Sequence, residues 1–227
     1  MNFDTLPDEI LREIARDSEP VYKALILAYP HFARMVNVCD AMINFGHDVK
    51  IVNSIICWYR NGKLHRVNGP ARVDRLGNSE WYRDGLLHRD VGPARVLLTG
   101  REWYQNGVLH CDDGPAMIWV GGDEAWYHNG ELHRIGGPAI TREGSEEWYL
   151  FGRNHRDNGP AVINEDGYRA WYQLGDYHRE DGPARVDHNG NEQWYIYGLL
   201  HREGGPAIIN NGIKDWFYYG MHITSPE

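Results

Sequence analysis

The chain has 227 residues, with 32 acidic and 23 basic side chains and a formal net charge of −9. That length suits one large or two small globular domains, and the charge argues against a surface held on a nucleic-acid phosphate backbone. No apolar run approaches the ~20 residues of a spanning helix, and the first ten residues are acidic, unlike a secretory leader, so a soluble cytoplasmic protein with neither nucleic-acid nor membrane partners is expected.

Residues 1–47 carry a helical pattern. Leu6, Ile10, Leu11, Ile14 and Ala15 recur at helical spacing, with Thr5 as N-cap, Pro7 in the first turn, and Asp8 and Glu9 at the positive end of the helix dipole. Ser18 caps a second helix through Val21 to Ala28, Pro30 ends it, and Phe32, Met35, Val36, Cys39, Met42 and Ile43 form the apolar face of a third. Three short helices in so few residues bury little alone, so they are expected to lean on the rest of the chain or on a partner.

The string Leu6-Pro7-Asp8-Glu9-Ile10-Leu11-Arg12-Glu13-Ile14, followed by Leu25-Ile26-Leu27-Ala28-Tyr29-Pro30-His31-Phe32, resembles an F-box. F-box domains dock through such helices on the Skp-type adaptor of cullin ubiquitin ligases, while the following domain captures the protein to be ubiquitinated. The resemblance implies that Leu6, Pro7, Ile10, Leu11, Ile14, Leu25 and Phe32 bind the adaptor.

Residues 48–57 read as a capping strand, with Val49-Lys50-Ile51 standing where later copies carry Ala-x-Val. From there a repeat takes over. Trp58, Trp81, Trp103, Trp126, Trp148, Trp171, Trp194 and Trp216 follow one another at 22 or 23 residues, a period that marks a repeat architecture. Each unit reads Trp-Tyr-x-Asn-Gly-x-Leu-His-Arg-x-x-Gly-Pro-Ala-x-Val. Seven units are complete over 58–215, and an eighth is partial over 216–227. The Trp-to-Ala distance is 13 residues in all seven, whereas the return leg to the next Trp is 9 or 10. A constant segment predicts a packed unit, and the one-residue variation predicts an exposed turn.

The Ala-x-Val and Glu-Trp-Tyr runs read as short strands of a hairpin. Asn-Gly or Asp-Gly in the first four copies is the strongest two-residue turn signal, placing Tyr59 opposite Leu64 and Trp58 opposite His65. The expected product is mainly β, a repetitive antiparallel meander or β-solenoid with two main strands per repeat and a small N-terminal helical domain. Trp58 to His65 and the period are similar to the MORN repeat, in a divergent form with Leu-His-Arg and Gly-Pro-Ala. The resemblance implies a scaffold or binding surface and no catalytic role. An F-box followed by this array is similar to proteins encoded in multiple copies by large DNA viruses of amoebae.

Eight histidines follow the Leu position: His65, His88, His110, His133, His155, His178, His201 and His222. Related by translation, they run parallel and do not converge on a zinc ion. Their expected role is packing on Trp and bonding to the Gly-Pro turn, with no metal and no cofactor. The arginines after them read as a solvated, salt-bridged face. Asp187, Asn189 and Asn191 read as a turn and not a calcium loop. No GxSxG, HExxH, phosphate-loop or dinucleotide motif occurs, so no catalytic residue is expected. The three cysteines, Cys39, Cys57 and Cys111, form no CxxC pair.

One asymmetry points to function. The residue before the turn glycine is Asn61, Asp84, Asn106 and Asn129 in the first four copies, but Phe151, Leu174, Tyr197 and Tyr219 in the last four. Equivalent positions share an edge, so the four form an apolar stripe, and exposed contiguous apolar surface marks a partner site. The expectation is a non-enzymatic, substrate-recruiting adaptor whose stripe holds an unknown protein target. Homodimerisation through the stripe is the second reading of that surface. The alternative for the whole chain is a structural or virion scaffold in which the helices only cap the solenoid.

Overall fold

In the computed structural model, which describes residues 48–224 other than residue 54, each repeat resolves into two kinds of hairpin. In the copy that starts at Trp126, Tyr127–His128 pairs with Glu131–Leu132, Tyr127 opposite Leu132. The turn between them has φ of 51° at Asn129 and 86° at Gly130. Two successive positive values give the two-residue turn whose twist suits a hairpin. Farther on, Ile140–Arg142 pairs with Ser145–Glu147 to make the second, longer hairpin. Two main strands per repeat therefore understates the unit: the main meander takes two, and a small separate ribbon takes two more.

The residues before residue 48 lie outside the described part, and with them the helical domain and the adaptor-binding set Leu6, Pro7, Ile10, Leu11, Ile14, Leu25 and Phe32. The chain divides into two compact units between Leu98 and Thr99. In the first, Asp48–Val52 runs antiparallel to Ile55–Arg60, with Val49 opposite Trp58, so the range 48–57 holds two strands and a turn at Asn53, not one strand. Ile55–Arg60 then pairs with Arg72–Val73, that with Ser79–Glu80, and that with Arg95–Leu97. The small ribbons are Tyr59-Arg60 with Lys63–Leu64, and Tyr82–Arg83 with Leu86–Leu87.

In the second unit the meander runs from Gly100–Glu102 through Met117–Trp119, Glu124–Ala125 and Ile140–Arg142 to Ser145–Glu147. It continues through Val162–Ile163, Arg169–Ala170, Arg185–Val186 and Glu192–Gln193 to Ile208–Asn210 and Ile213–Tyr218. Every pairing is antiparallel between strands consecutive along the meander. The one-residue length variation falls in its turns. Ten-residue return legs hold wider loops closed by Asn164 N–H to Tyr168 O and Asp187 N–H to Asn191 O, whereas Arg142 opposite Ser145 closes a tight turn in a nine-residue leg. Asp187, Asn189 and Asn191 form one of the wide loops, with the Asp187 carboxylate accepting the Asn189 and Asn191 backbone N–H groups.

The constant 13 residues have a direct cause. In all seven complete copies the Trp N–H donates to the Ala carbonyl at 2.7–2.8 Å, and the His N–H donates to the Trp carbonyl at 3.0–3.1 Å. Changing the length would break one of these backbone bonds, which are costly to leave unmade. The Ala side chains, Ala71, Ala94, Ala116, Ala139, Ala161, Ala184 and Ala207, are fully buried.

The Gly-Pro part is explained by arginine. The guanidinium carbons of Arg66, Arg89, Arg134, Arg156, Arg179 and Arg202 lie 3.6–4.2 Å from the ring centroids of their own copies' Trp. Each Nη1 donates to the Pro carbonyl at 3.0–3.3 Å. A Cβ on Gly182 would stand 2.6 Å from Arg179 Cζ, so glycine leaves the space the guanidinium fills. The expected roles of His and Arg are thus exchanged: Arg packs on Trp and bonds the Gly-Pro turn, and it is not a merely solvated face. Planar, weakly hydrated guanidinium suits this place over an aromatic face.

Candidate functional site

The histidines join one copy's small ribbon to the next. Backbone N–H groups of Asp84, Asn129, Phe151, Leu174, Tyr197 and Tyr219 donate to Nδ1 of His65, His110, His133, His155, His178 and His201 at 3.0–3.4 Å. Beside each runs a second link, from the turn glycine N–H to the preceding copy's strand carbonyl, as in Gly198 to Tyr177 at 2.9 Å and Gly220 to Leu200 at 2.8 Å. An imidazole nitrogen that accepts a backbone N–H carries no proton, so in this arrangement the ring proton of His110 and His155 belongs on Nε2. In His110 and His155 that Nε2 meets the carboxylate two residues on, Asp112 at 3.1 Å and Asp157 at 3.3 Å.

His222 breaks the series. Ile223, not His222, stands opposite Trp216, and His222 stands opposite Phe217, where other copies have Leu or its replacement. The eighth histidine is therefore on the other face of the ribbon, because the last copy is one residue shorter between Trp and His.

The stripe residues are all placed at this link. Phe151, Leu174, Tyr197 and Tyr219 have φ between 44° and 50°, the same turn geometry as Asn61, Asp84, Asn106 and Asn129 at 51°. For Asn and Asp that region is accessible; for a bulky side chain it is an outlier. Three of the four carry rings, and all three lie flat on the preceding histidine: Phe151 on His133 and Tyr197 on His178 at 4.2 Å, and Tyr219 on His201 at 4.0 Å between centroids. One ring face is covered and the other is open: the four residues are 48–63% exposed. Within the second unit the stripe is flanked by exposed Leu199, Tyr218 and Met221, while Leu150 and Ile196 are half-buried. Leu199 and Met221 escape a reading centred on the residue before the glycine; their signal is the position after it, apolar in both final copies.

Beside the stripe, Tyr197 borders a hollow of about 770 Å3, lined also by Arg156, Trp171, Tyr172 and His178. Its rim carries Asp157, Glu180 and Asp181, all strongly exposed. Both arginines there are engaged on Trp and Pro, and Arg179 Nε also pairs with Asp181 at 2.8 Å, so Asp157 and Glu180 are what make the edge acidic. The Arg179 guanidinium holds the Asp181 carboxyl below its usual range. Tyrosines in the same unit are pushed upward, chiefly by burial, with Tyr168 raised to about 12. They are packing groups and hydrogen-bond donors near neutral pH; Tyr168 and Tyr177 hydroxyls meet at 3.3 Å, and Tyr172, Tyr177 and Tyr195 stack in sequence.

No protein-family model matches the sequence, and no curated protein is significantly similar to it. No helix among the described residues is long and apolar enough to cross a membrane.

Proposed function

We propose that the chain is a non-enzymatic interaction module. In this reading the meander is a β-solenoid of MORN-like repeats whose C-terminal stripe captures a protein partner, and the F-box-like segment 1–47 offers that partner to a Skp-type adaptor of a cullin ubiquitin ligase. The observation that carries the binding surface is the set of four bulky residues at positive φ. Each costs roughly 1–2 kcal/mol of backbone strain relative to an ordinary conformation, although Asn or Asp serves the same turn in the first four copies. Strain retained at four equivalent places points to use of the exposed side chains.

The partner is an apolar segment flanked by basic side chains. The open ring faces supply apolar contact, and Asp157 and Glu180 supply a complementary rim. A second copy fits less well, since two chains of net charge −9 repel.

Two separable tests apply. Purified Skp-type adaptor should bind the intact chain and lose binding to an Ile10→Asp, Ile14→Asp variant; no binding by the intact chain removes the ubiquitin-ligase reading and leaves the scaffold alternative. Independently, a synthetic peptide with alternating apolar and basic residues should bind the intact chain and not one carrying Asn at positions 151, 174, 197 and 219.

A further inference from the structure

We propose that His110, Asp112 and His128 form a binding site for a divalent transition-metal ion of the zinc type. The three ligand atoms lie within 4.8 Å of one another. His110 Nε2 is 3.1 Å and His128 Nδ1 3.9 Å from Asp112 Oδ1, and the two imidazole rings stand 4.8 Å apart, tilted by 51° and so not stacked face to face. Ligands held at ~2.0–2.2 Å around a tetrahedral ion are about 3.5 Å apart. The His110–Asp112 pair is near that spacing, and His128 reaches it by a side-chain movement of about an ångström.

Two departures from the repeat meet here. His128 lies outside the Leu-His series; the equivalent place holds Gln173 opposite the His155–Asp157 copy and Ile196 opposite the His178–Glu180 copy. It converts a recurring His–carboxylate pair into a group of three, the one such group among the described residues. The copy that supplies His110 and Asp112 carries Cys111 where the six other complete copies have Arg, followed by Asp112 and Asp113. In the copy that starts at Trp171 the equivalent Arg179 pairs with Asp181 at 2.8 Å; Cys111 offers Asp113 no such guanidinium, leaving two neighbouring acids that a cation would balance.

The site is of the open kind. The Asp112 side chain is 73% and the His128 side chain 41% exposed, while His110 is 12% exposed, so water or an added ligand completes the coordination. A third imidazole, His133, has its ring 6.0 Å from that of His128. Imidazole with carboxylate suits zinc, copper or nickel.

Binding has a local cost that provides a signature. The Asn129 N–H donates to His110 Nδ1 at 3.1 Å, which places the ring proton on Nε2. Metal on Nε2 moves that proton to Nδ1 and frees the exposed Asn129 N–H to water. Occupancy is therefore coupled to the link between two small ribbons.

The test is titration of the untagged full chain with Zn2+ by calorimetry, with Co2+ absorption as a coordination readout. The intact chain should bind one ion, and the Asn129 amide resonance should move on binding. His128→Gln restores a residue that other copies accept at this place, and Asp112→Asn removes the carboxylate charge. Each should weaken binding at least ~10-fold with an unchanged thermal melt. No binding by the intact chain, or undiminished binding by the folded His128→Gln variant, overturns the proposal.

Discussion

Leu174 stands in a left-handed turn with its side chain open to solvent, and its N–H reaches His155 Nδ1 at 3.4 Å, the longest bond of that series. It pays the backbone cost of a branched residue without a ring stack in return. Asn fits the same turn at Asn61, Asn106 and Asn129. Leu174→Asn should therefore stabilise the protein by about 1 kcal/mol, seen as a rise of roughly 2–4 °C in Tm. Phe151→Asn relieves similar strain but loses the stack on His133, worth ~0.5–1.5 kcal/mol, so its Tm should scarcely change while partner binding falls. A second residue-scale expectation concerns His133, held below the ordinary value of 6.5 by burial and then by His128. Its neutral form accepts the Phe151 N–H. The folded state disfavours protonation, so this contribution is present above pH 6.5 and lost as pH falls through the folded midpoint. An NMR titration should give a His133 midpoint below 6.5, moving upward in His128→Gln; a midpoint at or above 6.5 contradicts the arrangement.

Within one repeat, the Arg that lies over Trp and bonds the Pro carbonyl explains three motif positions together. Copy three lacks it, with Cys111 in place of Arg. Cys111→Arg should supply the missing cation–π contact over Trp103 and a bond to the Pro115 carbonyl, raising stability by about 1 kcal/mol in denaturant unfolding. Arg156→Ala should lower it by roughly 1–2 kcal/mol for the same reasons, and a neutral result for both would show that the stacking contributes little. This element also marks what sequence conveys. Asn-Gly turns, the Tyr59–Leu64 register and the constant 13-residue segment were legible because turn chemistry and spacing are local. The His and Arg roles were not, since adjacent residues on a ribbon point to opposite faces and spacing alone does not say which face holds Trp. His222 misled for a related reason: one missing residue reverses the face without spoiling the motif by eye. His128 was hidden because one deviation in a repeat acquires meaning only when the fold brings the preceding copy's His110 and Asp112 beside it.

Across the described chain, a regular hydrogen-bonded frame carries side chains that change from polar turns to apolar rings along one edge of the second unit. The frame accounts for the tryptophans, the Gly-Pro-Ala prolines and most of the histidines; the stripe is what the frame does not require. That division was partly legible, because the switch from Asn or Asp to Phe, Leu and Tyr is visible in sequence. Its strain was not, because nothing local forces a bulky residue into a left-handed turn when its glycine neighbour is retained. A partner surface that repels its own copy predicts a monomer in sedimentation velocity, and a dimer abolished by the stripe substitutions would favour self-association instead. The most direct measurement is quantitative affinity capture from the cells in which the chain is naturally made, comparing the intact chain with one bearing Asn at positions 151, 174, 197 and 219, both shown to be folded by circular dichroism. The account predicts that a specific protein partner is retained by the intact chain and lost from the substituted one, whose Tm is equal or higher. Identical capture by the two, or collapse of the substituted fold, would contradict it.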